Sequence, residues 1–340
     1  MPLNGAFGQQ KAANRSLAVA HKRLYAYICA RIRAQQQAPH AMVSRILITL
    51  IISTALATAA MAQKLDLNAE FTTCSTLEDY EENHHGSGSL MRLSGKYDFM
   101  ISRAADEAGR PILWTGTVRA AYGQLSNHGE AADLYPDELL DASVNITHIR
   151  PLSGRWSVLI SAGVGIYSDL EKFSGNQVLA NGAAIFAYRM SRSLDLGVGV
   201  GLTNSYGVPM VLPMPYLRWN YAGRFELNVN MVGMVNISGA MRVNQQLKIN
   251  LDLCDIESVT AITKVDGKWR VFGSTSSKTA IRPEYRMGRA TLHLSVGCAW
   301  RRSASVTKRS FKDSFHSFNH KRRNTFNPAL AIEAGYSYVF

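Results

Sequence analysis

The sequence predicts an all-β protein whose strands form an antiparallel transmembrane β-barrel, preceded by a cleaved signal peptide. Three observations carry this prediction. From about residue 112 onward, apolar and polar residues alternate in segments of roughly ten residues, the period of a strand with two different faces. Short and long connections alternate between these segments. The last ten residues, AIEAGYSYVF, keep the same alternation up to Phe340.

The first 62 residues are predicted to lie outside the barrel. Residues 46–60 form one long apolar run, which is shorter than the roughly 20 residues that a membrane-spanning helix needs. Arg45 before this run and Ala60-Met61-Ala62 after it indicate a signal peptide over residues 42–62. Residues 1–41 are interpreted as an over-extended N-terminus; the alternative is a long basic n-region or an amphipathic targeting segment.

Much of the positive charge belongs to this leader. The formal net charge is +12, and residues 1–62 hold seven Lys and Arg but no acidic residue, so the remainder carries +12 − 7 = +5. The basic composition therefore does not indicate a nucleic-acid partner. Cys74, Cys254 and Cys298 remain after cleavage, and three scattered cysteines predict neither a disulfide framework nor a zinc site. No metal and no cofactor is expected.

Residues 63–111 are treated as an N-terminal periplasmic lead-in segment, and residues 112–340 as the barrel. About twelve strands are predicted. Residues 89–102 show the pattern of a further strand, so fourteen is the alternative count. The twelve strands are expected near 112–125, 142–150, 155–168, 178–190, 194–205, 210–219, 223–235, 239–253, 256–265, 274–286, 289–302 and 328–340.

The connections between these strands fall into two classes. Those near 151–154, 191–193 and 287–288 are short, whereas 169–177 and 303–327 are long. Outer-membrane barrels have short periplasmic turns and longer external loops. Both termini are therefore expected on the periplasmic side. A hairpin turn is predicted at Val265-Asp266-Gly267-Lys268.

A soluble antiparallel sandwich is the alternative, because its strands alternate as well. The signal peptide, the even strand number and the ending of the chain on a strand favour the barrel. A closed barrel leaves no unpaired edge in lipid. Aromatic residues near strand ends suit the membrane interface; they are Trp114, Trp156, Trp219, Trp300, Tyr336 and Tyr338.

The last strand resembles the C-terminal signature of Gram-negative outer-membrane β-barrel proteins. Phe340 is terminal, Tyr338 lies two residues before it and Tyr336 two further back. The chain looks most like the uncharacterised outer-membrane barrels of Bacteroidota. This resemblance implies a location in the cell outer membrane, recognition of Tyr336, Tyr338 and Phe340 by the barrel-assembly machinery, and no enzymatic activity.

The inward-facing residues of the predicted barrel include an excess of arginine. This pattern favours a small channel or solute-binding barrel with an anion-preferring lumen, because Arg suits carboxylate and phosphate groups. The alternative is a structural barrel plugged by an internal salt-bridge network. The predicted lumen residues are Arg218, Arg242, Lys248, Arg282 and Arg286. Further inward-facing cations are expected at Arg119, Arg155, Arg189, Arg224 and Arg301, and Glu333 is expected to meet the arginines.

Three other patterns in the sequence contain residue types with chemical functions. His293 and Ser295 resemble the His-x-Ser pair of outer-membrane lipid hydrolases, a remote alternative because both are expected to face inward. The run EDYEENHH at 78–85 has metal-ligating residue types but is interpreted as a solvated acidic segment. Loop 303–327 is basic and aromatic and is expected to contact lipopolysaccharide and outer-membrane lipid. Small anionic solutes are the remaining expected partners.

Overall fold

The computed structural model describes residues 64–79, 81–203, 210–232, 234–310 and 324–340. The predicted signal peptide and over-extended N-terminus lie outside these residues. The elements are β1 (Lys64–Glu78), β2 (His84–Ala105), β3 (Pro111–His128), α1 (Glu130–Leu134), β4 (Glu138–Pro151), β5 (Trp156–Ser168), a 3₁₀ turn (Gly175–Gln177), β6 (Val178–Arg189), β7 (Leu194–Thr203), β8 (Met210–Tyr221), β9 (Phe225–Val232), β10 (Met234–Arg242), β11 (Leu247–Val265), β12 (Lys268–Met287), β13 (Ala290–Lys308), β14 (Asn324–Phe326) and β15 (Ala329–Val339).

The strands form one closed antiparallel barrel. From β1 to β13 each strand pairs with the next along the chain, and β15 lies between β13 and β1. The β1–β15 seam runs from Lys64 opposite Val339 to Thr72 opposite Ala331. β14 continues the line of β15 between the same two neighbouring strands. The two together therefore count as one strand position of the barrel wall, which is called a stave below. The described residues therefore contain fourteen staves, the higher of the two predicted counts.

The segment expected as a lead-in forms the first two staves instead. β1 alternates in the same way as the later strands, because Leu67 and Phe71 are exposed outward while Glu70 lies inside. β-Bulges interrupt the pairing of β1 with β2 after Thr72, and of β2 with β3 after Met100. These shifts break the strict period of two within the segment, although residues 89–102 already show the pattern of one strand.

Several predicted strand boundaries were wrong. The expected strand 223–235 runs past the end of β9 at Val232 and into β10, which begins at Met234. The expected strand 239–253 contains a turn, where Asn244 Oδ1 accepts hydrogen bonds from the backbone N–H groups of Gln246 and Leu247 at 2.8 and 2.7 Å. An Asn side chain that binds the backbone in this way competes with strand pairing. The expected break before residue 256 is a β-bulge at 252–255 within one continuous strand, β11.

The end of the barrel at which β1 begins and β15 ends is called the inner end. Its turns are short: 106–110, 152–155, 190–193, 222–224, 243–246 and 288–289. The predicted alternation of short turns with longer loops is observed, with loops such as 129–137 and 169–177 at the outer end. Aromatic rings flank the inner end, with Trp156 against Tyr188 at 5.0 Å and Tyr338 against Phe340 at 4.9 Å.

The outward face is a continuous apolar band. Val198 is 70% exposed, Val211 68% and Ile281 57%, although all three are aliphatic. Such a band on a closed sheet is the surface that a membrane barrel presents to lipid. None of the helices among the described residues has the length and apolar character needed to cross a membrane.

The wall has unequal height. β2 has 22 residues and β11 to β13 have 19 to 20, whereas β9 has 8 and β10 has 9. β8 pairs with β9 only over Leu217 to Tyr221. Pro213 and Pro215 lie beyond this pairing, in accord with the missing N–H donor of proline.

The tallest hairpin with its turn at the outer end bends over the outer mouth. β11 and β12 are joined by the predicted turn, with positive φ at Asp266 (52°) and Gly267 (75°), which suits a type I′ hairpin. Near its tip, Ile262 forms a parallel backbone bridge with Ser168 on β5, a strand on the other side of the lumen. Two clusters of buried apolar side chains lie here, at the outer end, and a smaller one around Ile185 and Tyr216 lies closer to the inner end.

Candidate solute-binding lumen

Three of the five predicted lumen cations form a ladder of ion pairs on the inner half of β9 to β12. Arg242 lies 2.5 Å from Glu226, and Lys248 lies 3.6 Å from Glu226 and 3.1 Å from Glu284. Arg282 continues the ladder to Glu284 at 3.4 Å and to Asp252 at 3.3 Å. Apart from the buried Asp252, these side chains are partly exposed, so the ladder lines the lumen and remains in contact with water.

The other two predicted lumen residues stand apart from this ladder. Arg218 is exposed and lies opposite Asp195, which itself pairs with Arg189 at 3.5 Å. Arg286 Nε donates to the carbonyl oxygen of Gly288 at 3.2 Å. Within the described ranges, neither Arg218 nor Arg286 has an acidic partner, so both cations remain open to solutes at the inner mouth.

A second ion cluster lies deeper. Lys278 Nζ is 2.9 Å from Glu70 and 3.0 Å from Glu257, and Arg92 is 3.1 Å from the same Glu257. The Lys278 side chain is only 8% exposed. This cluster was not predicted from the sequence, because Glu70 and Arg92 lie in the segment expected to be a periplasmic lead-in. The alternation in KLDLNAEF was the signal that would have placed Glu70 inside.

Glu333 faces the lumen as predicted, but its partner is His293 at 3.1 Å and not an arginine. Ser295, two residues along β13, is buried on the same inward face. Both residues of the His-x-Ser pair therefore point away from lipid. The outward neighbours Leu292 and Leu294 are 43% and 50% exposed.

A β-bulge on β13 exchanges the faces of the sheet on which two arginine side chains lie. Ser277 lies opposite Arg301 but Lys278 lies opposite Ala299, so Trp300 is the extra residue on β13. Arg301, expected inside, is exposed on the outer face, and Arg302 is 4% exposed. The Arg302 guanidinium lies 3.8 Å from the centre of the Phe326 ring and donates to the Gly88 carbonyl oxygen at 2.7 Å.

A polar cavity of about 340 Å³ occupies the lumen beside β2 to β6. Arg119, close to the middle of β3, faces this cavity and is exposed although it points inward. Lys96 pairs with Asp98 at 2.6 Å, and Asn181 donates to the Tyr167 hydroxyl at 2.9 Å. The lining residues are Lys96, Thr117, Arg119, Asp141, Ser143, Asn145, Tyr167 and Asn181.

Above this cavity the lumen is closed by an apolar cap. Phe272 and Ile262 of the tall hairpin are fully buried, and Tyr135 of the loop after α1 packs edge-on against Phe272 at 5.7 Å. The Tyr135 hydroxyl donates to the Ala304 carbonyl oxygen at 3.3 Å. The buried cap residues are Leu77, Leu125, Ala131, Tyr135, Leu139, Ala261, Phe272, Ala304 and Phe326, with Tyr167, Leu179, Ile262 and Val271 in a second cluster.

A histidine joins two outer loops beside the cap. His85 Nδ1 is 2.6 Å from Glu130 of α1, and His85 Nε2 is 3.0 Å from Asp79 of the β1–β2 loop. β2 is about twice as long as the 9–11 residues needed to cross a membrane, so its outer end projects beyond the membrane. Hydrogen bonds to Asp79 and Glu130 raise the pKa of His85, and the His85 hydrogen bond lowers the pKa of Asp79.

The remaining features predicted from the sequence are the possible metal ligands, the basic aromatic loop and the C-terminal aromatic residues. Within 64–79, 81–203, 210–232, 234–310 and 324–340, no group of three or more His, Cys, Asp or Glu is arranged to hold a metal ion. The basic and aromatic residues at 311–323 lie outside the described residues, while Lys308 ends β13. Tyr336 and Tyr338 lie opposite Leu67 and Leu65 at the seam.

A family model described as Domain of unknown function (DUF6268) matches residues 58–339. The chain belongs to this family. Curated proteins include no match to the DUF6268 chain.

Solved structures of several outer-membrane proteins are similar to the DUF6268 chain in fold. The COG4313 outer membrane channel from Pseudomonas putida F1 has 9% identity and a TM-score of 0.42, covering 84% of this chain and 97% of its own. The TodX monoaromatic hydrocarbon channel (deltaS2 mutant) has 10% identity and a TM-score of 0.36, covering 84% and 92%. The NanC porin has 10% identity and a TM-score of 0.30, covering 81% and 98%. At these identities the likeness concerns the fold alone.

Proposed function

We propose that the protein is an outer-membrane channel for small polar solutes, with its outer mouth closed in the conformation described above. One observation carries the proposal: Arg119, at mid-height and facing inward, is exposed to solvent directly beneath a cap whose hairpin residues are fully buried. Fourteen strands enclose more space than the eight that side chains alone can fill. A lumen that is accessible to water up to its middle and closed above it has the form of a channel with a closed gate.

The charge of the inner half supports a preference for anions. On β6 to β12 the inward-facing cations of this half number six and the acids four, so the local excess is 6 − 4 = +2. A positive ring attracts anions and repels cations at close range. The cations are Arg189, Arg218, Arg242, Lys248, Arg282 and Arg286, and the acids are Asp195, Glu226, Asp252 and Glu284.

The proposed setting follows from the outward face. Outer-membrane lipid surrounds the apolar band, and lipopolysaccharide meets the outer loops. Tyr336, Tyr338 and Phe340, at the closing stave, serve as the signal for the barrel-assembly machinery.

The test is conductance across a planar bilayer under a KCl gradient. The refolded protein is compared with a variant lacking residues 260–263 and 270–273, which shortens the hairpin by four register pairs and keeps the Asp266–Gly267 turn. We expect rare small openings for the wild-type protein and larger, frequent ones for the variant. The reversal potential is expected to indicate selectivity for chloride over potassium. Absence of conductance from both proteins, each with a heat-modifiable gel band, overturns the channel.

A structural barrel is the second candidate, favoured by the Lys278 cluster. Lys278, Glu70, Glu257 and Arg92 link β12, β1, β11 and β2 across the interior. If this cluster and the cap close the lumen permanently, the shortened-hairpin variant shows no conductance in the same experiment.

A further inference from the structure

The polar cavity contains an arrangement of charge that the fold itself does not favour. Lys96 on β2 lies directly opposite Arg119 on β3, and both side chains line the cavity. Like charges directly opposite on paired strands destabilise a sheet. A residue choice that breaks a local rule in this way commonly marks a functional site.

Of these two cations, only one forms an ion pair with a described residue. Asp98 accepts from Lys96 Nζ at 2.6 Å and from the Thr117 hydroxyl at 2.7 Å, so its carboxylate is already engaged. Arg119 makes no ion pair or hydrogen bond within the described part of the chain. Its planar guanidinium, with five N–H donors, is therefore free to take a carboxylate through two parallel hydrogen bonds.

An unused acceptor lies beside this donor. Asp141 on β4 is two residues from Ser143, the residue opposite Arg119, and therefore lies on the same inward face as Ser143. The Asp141 Oδ1 atom is buried and has no hydrogen-bond partner among the described residues. Buried polar atoms are nearly always paired, so an unpaired carboxylate oxygen at the edge of a cavity calls for a donor from elsewhere.

The remaining walls are neutral and polar. Ser143, Asn145, Tyr167 and Asn181 present hydroxyl and amide groups to a volume of about 340 Å³. This volume is within the range of small-molecule sites and matches a solute of monosaccharide size. Neutral hydrogen-bonding groups around a free cation and a free carboxylate oxygen suit a ligand with both acceptor and donor groups.

We propose that this cavity binds a small organic acid that also carries hydroxyl or ammonium groups. The carboxylate of the solute lies on Arg119, and a hydroxyl or ammonium group of the same solute donates to Asp141. The inference rests on the proposed function of the lumen as a solute path and names the class of solute. Inorganic anions satisfy Arg119 but leave Asp141 unpaired, so the site prefers the organic acid.

The test measures binding to the refolded, detergent-solubilised protein by isothermal titration calorimetry with three probes. Gluconate has a carboxylate and hydroxyl groups, glucose has hydroxyl groups alone, and propionate has a carboxylate alone. We expect saturable binding of one gluconate per chain and at least tenfold weaker binding of glucose and propionate. Equal affinity for gluconate and propionate, or no saturable binding of gluconate by protein with a heat-modifiable band, overturns the site.

Two variants and a matched control locate the site. Arg119→Gln is expected to weaken gluconate binding at least tenfold, and Asp141→Ala is expected to lower the ratio of gluconate to propionate affinity towards one. Arg301→Gln makes the same chemical change on the outer face and leaves binding unchanged. An equal loss of binding in Arg301→Gln contradicts the assignment. Heat modifiability of each variant establishes that the barrel has folded.

Conductance separates this proposal from the channel on which it rests. If the protein binds gluconate but never conducts, even with the shortened hairpin, the binding site is supported and the channel is contradicted. A protein that conducts but shows no saturable gluconate binding retains the channel and refutes the site.

Discussion

Ile262 on β11 forms a backbone bridge with Ser168 on β5, and the two strands run parallel at this point although neighbouring strands of the wall are antiparallel. The bridge joins opposite sides of the lumen. Gln177 Nε2 donates to the Ile262 carbonyl oxygen at 3.4 Å and adds a second link. Closure of the outer mouth is therefore built from contacts between strands that are not adjacent in the wall.

Ile262→Ala is expected to loosen this closure. Ile262 is fully buried, and truncating such a side chain costs about 2–5 kcal/mol. Because the lost contacts hold the hairpin tip, amide hydrogen exchange in residues 256–272 is expected to speed up while exchange in β3 to β5 stays unchanged. Ile281→Ala, at a lipid-facing position that is 57% exposed, is the matched control. Equal protection of 256–272 in both variants contradicts the role of Ile262.

Lys278→Met is expected to destabilise the whole barrel. The change leaves the buried Glu70 without its cation and leaves Glu257 with Arg92 alone, and removing one member of a buried ion cluster costs about 3–5 kcal/mol. The free energy of unfolding in urea measures this loss. Lys248→Met, whose side chain is 30% exposed, serves as the control and is expected to cost much less. Comparable losses in the two variants argue against a special role for the Lys278 cluster.

The contact between α1 and the β1–β2 loop is expected to weaken as pH rises. Hydrogen bonds to Asp79 and Glu130 raise the pKa of His85 above its ordinary value of 6.5. A raised pKa in the folded state means that protonation stabilises the contact, fully below pH 6.5 and decreasingly as pH rises through the folded pKa. Hydrogen exchange in residues 129–137 is therefore expected to accelerate, beyond its intrinsic pH dependence, above neutral pH.

His85→Gln tests the origin of this pH dependence, because glutamine keeps a polar side chain but does not titrate. The variant is expected to lose the extra acceleration in 129–137. His84→Gln changes the neighbouring histidine, which contacts Glu78 at 3.3 Å, and is expected to retain it. Retention of the acceleration in His85→Gln assigns the effect to another group.

Deleting Phe340 is expected to lower the amount of assembled barrel in cells much more than the yield of refolding in detergent. Phe340 is 43% exposed and contacts Tyr338 and Tyr97 at the seam, so it contributes little to the buried core. The heat-modifiable band measures both yields. Phe225→Ala, an aromatic residue that is 62% exposed, is the control and is expected to assemble normally. Equal loss in cells and in detergent contradicts a role in assembly.

The alternation of the sequence predicted the wall well, because the facing of a residue within a strand depends only on the period of two. Leu292, Leu294 and Val296 face outward and His293, Ser295 and Glu333 inward, as predicted. The hairpin at Asp266-Gly267 was also correct, since its residues tolerate positive φ. β-Bulges broke this inward–outward alternation. The extra residue at Trp300 placed Arg301 outside and Arg302 inside, the reverse of the expected arrangement.

The sequence could not predict the partners inside the lumen. The pairing of Arg282 with Asp252 depends on the register between β11 and β12, and the Lys278 cluster joins strands separated by up to four others. The cap depends on contacts such as Ile262 with Ser168, which are 94 residues apart (262 − 168). No local pattern encodes contacts of this kind, so the closed mouth and the cavity beneath it emerged only from the fold.

The seam between β1 and β15 has a consequence for the order of folding. Lys64 and Val339 are 275 residues apart (339 − 64), and bringing such distant segments together costs about 5 kcal/mol of chain entropy by the logarithmic loop-closure rule. The other wall pairings are between strands that are neighbours in sequence and form from short hairpins. Until the seam closes, the nascent sheet has two free edges that would pair with other chains. The interval before closure is therefore the period in which this protein is most prone to aggregate.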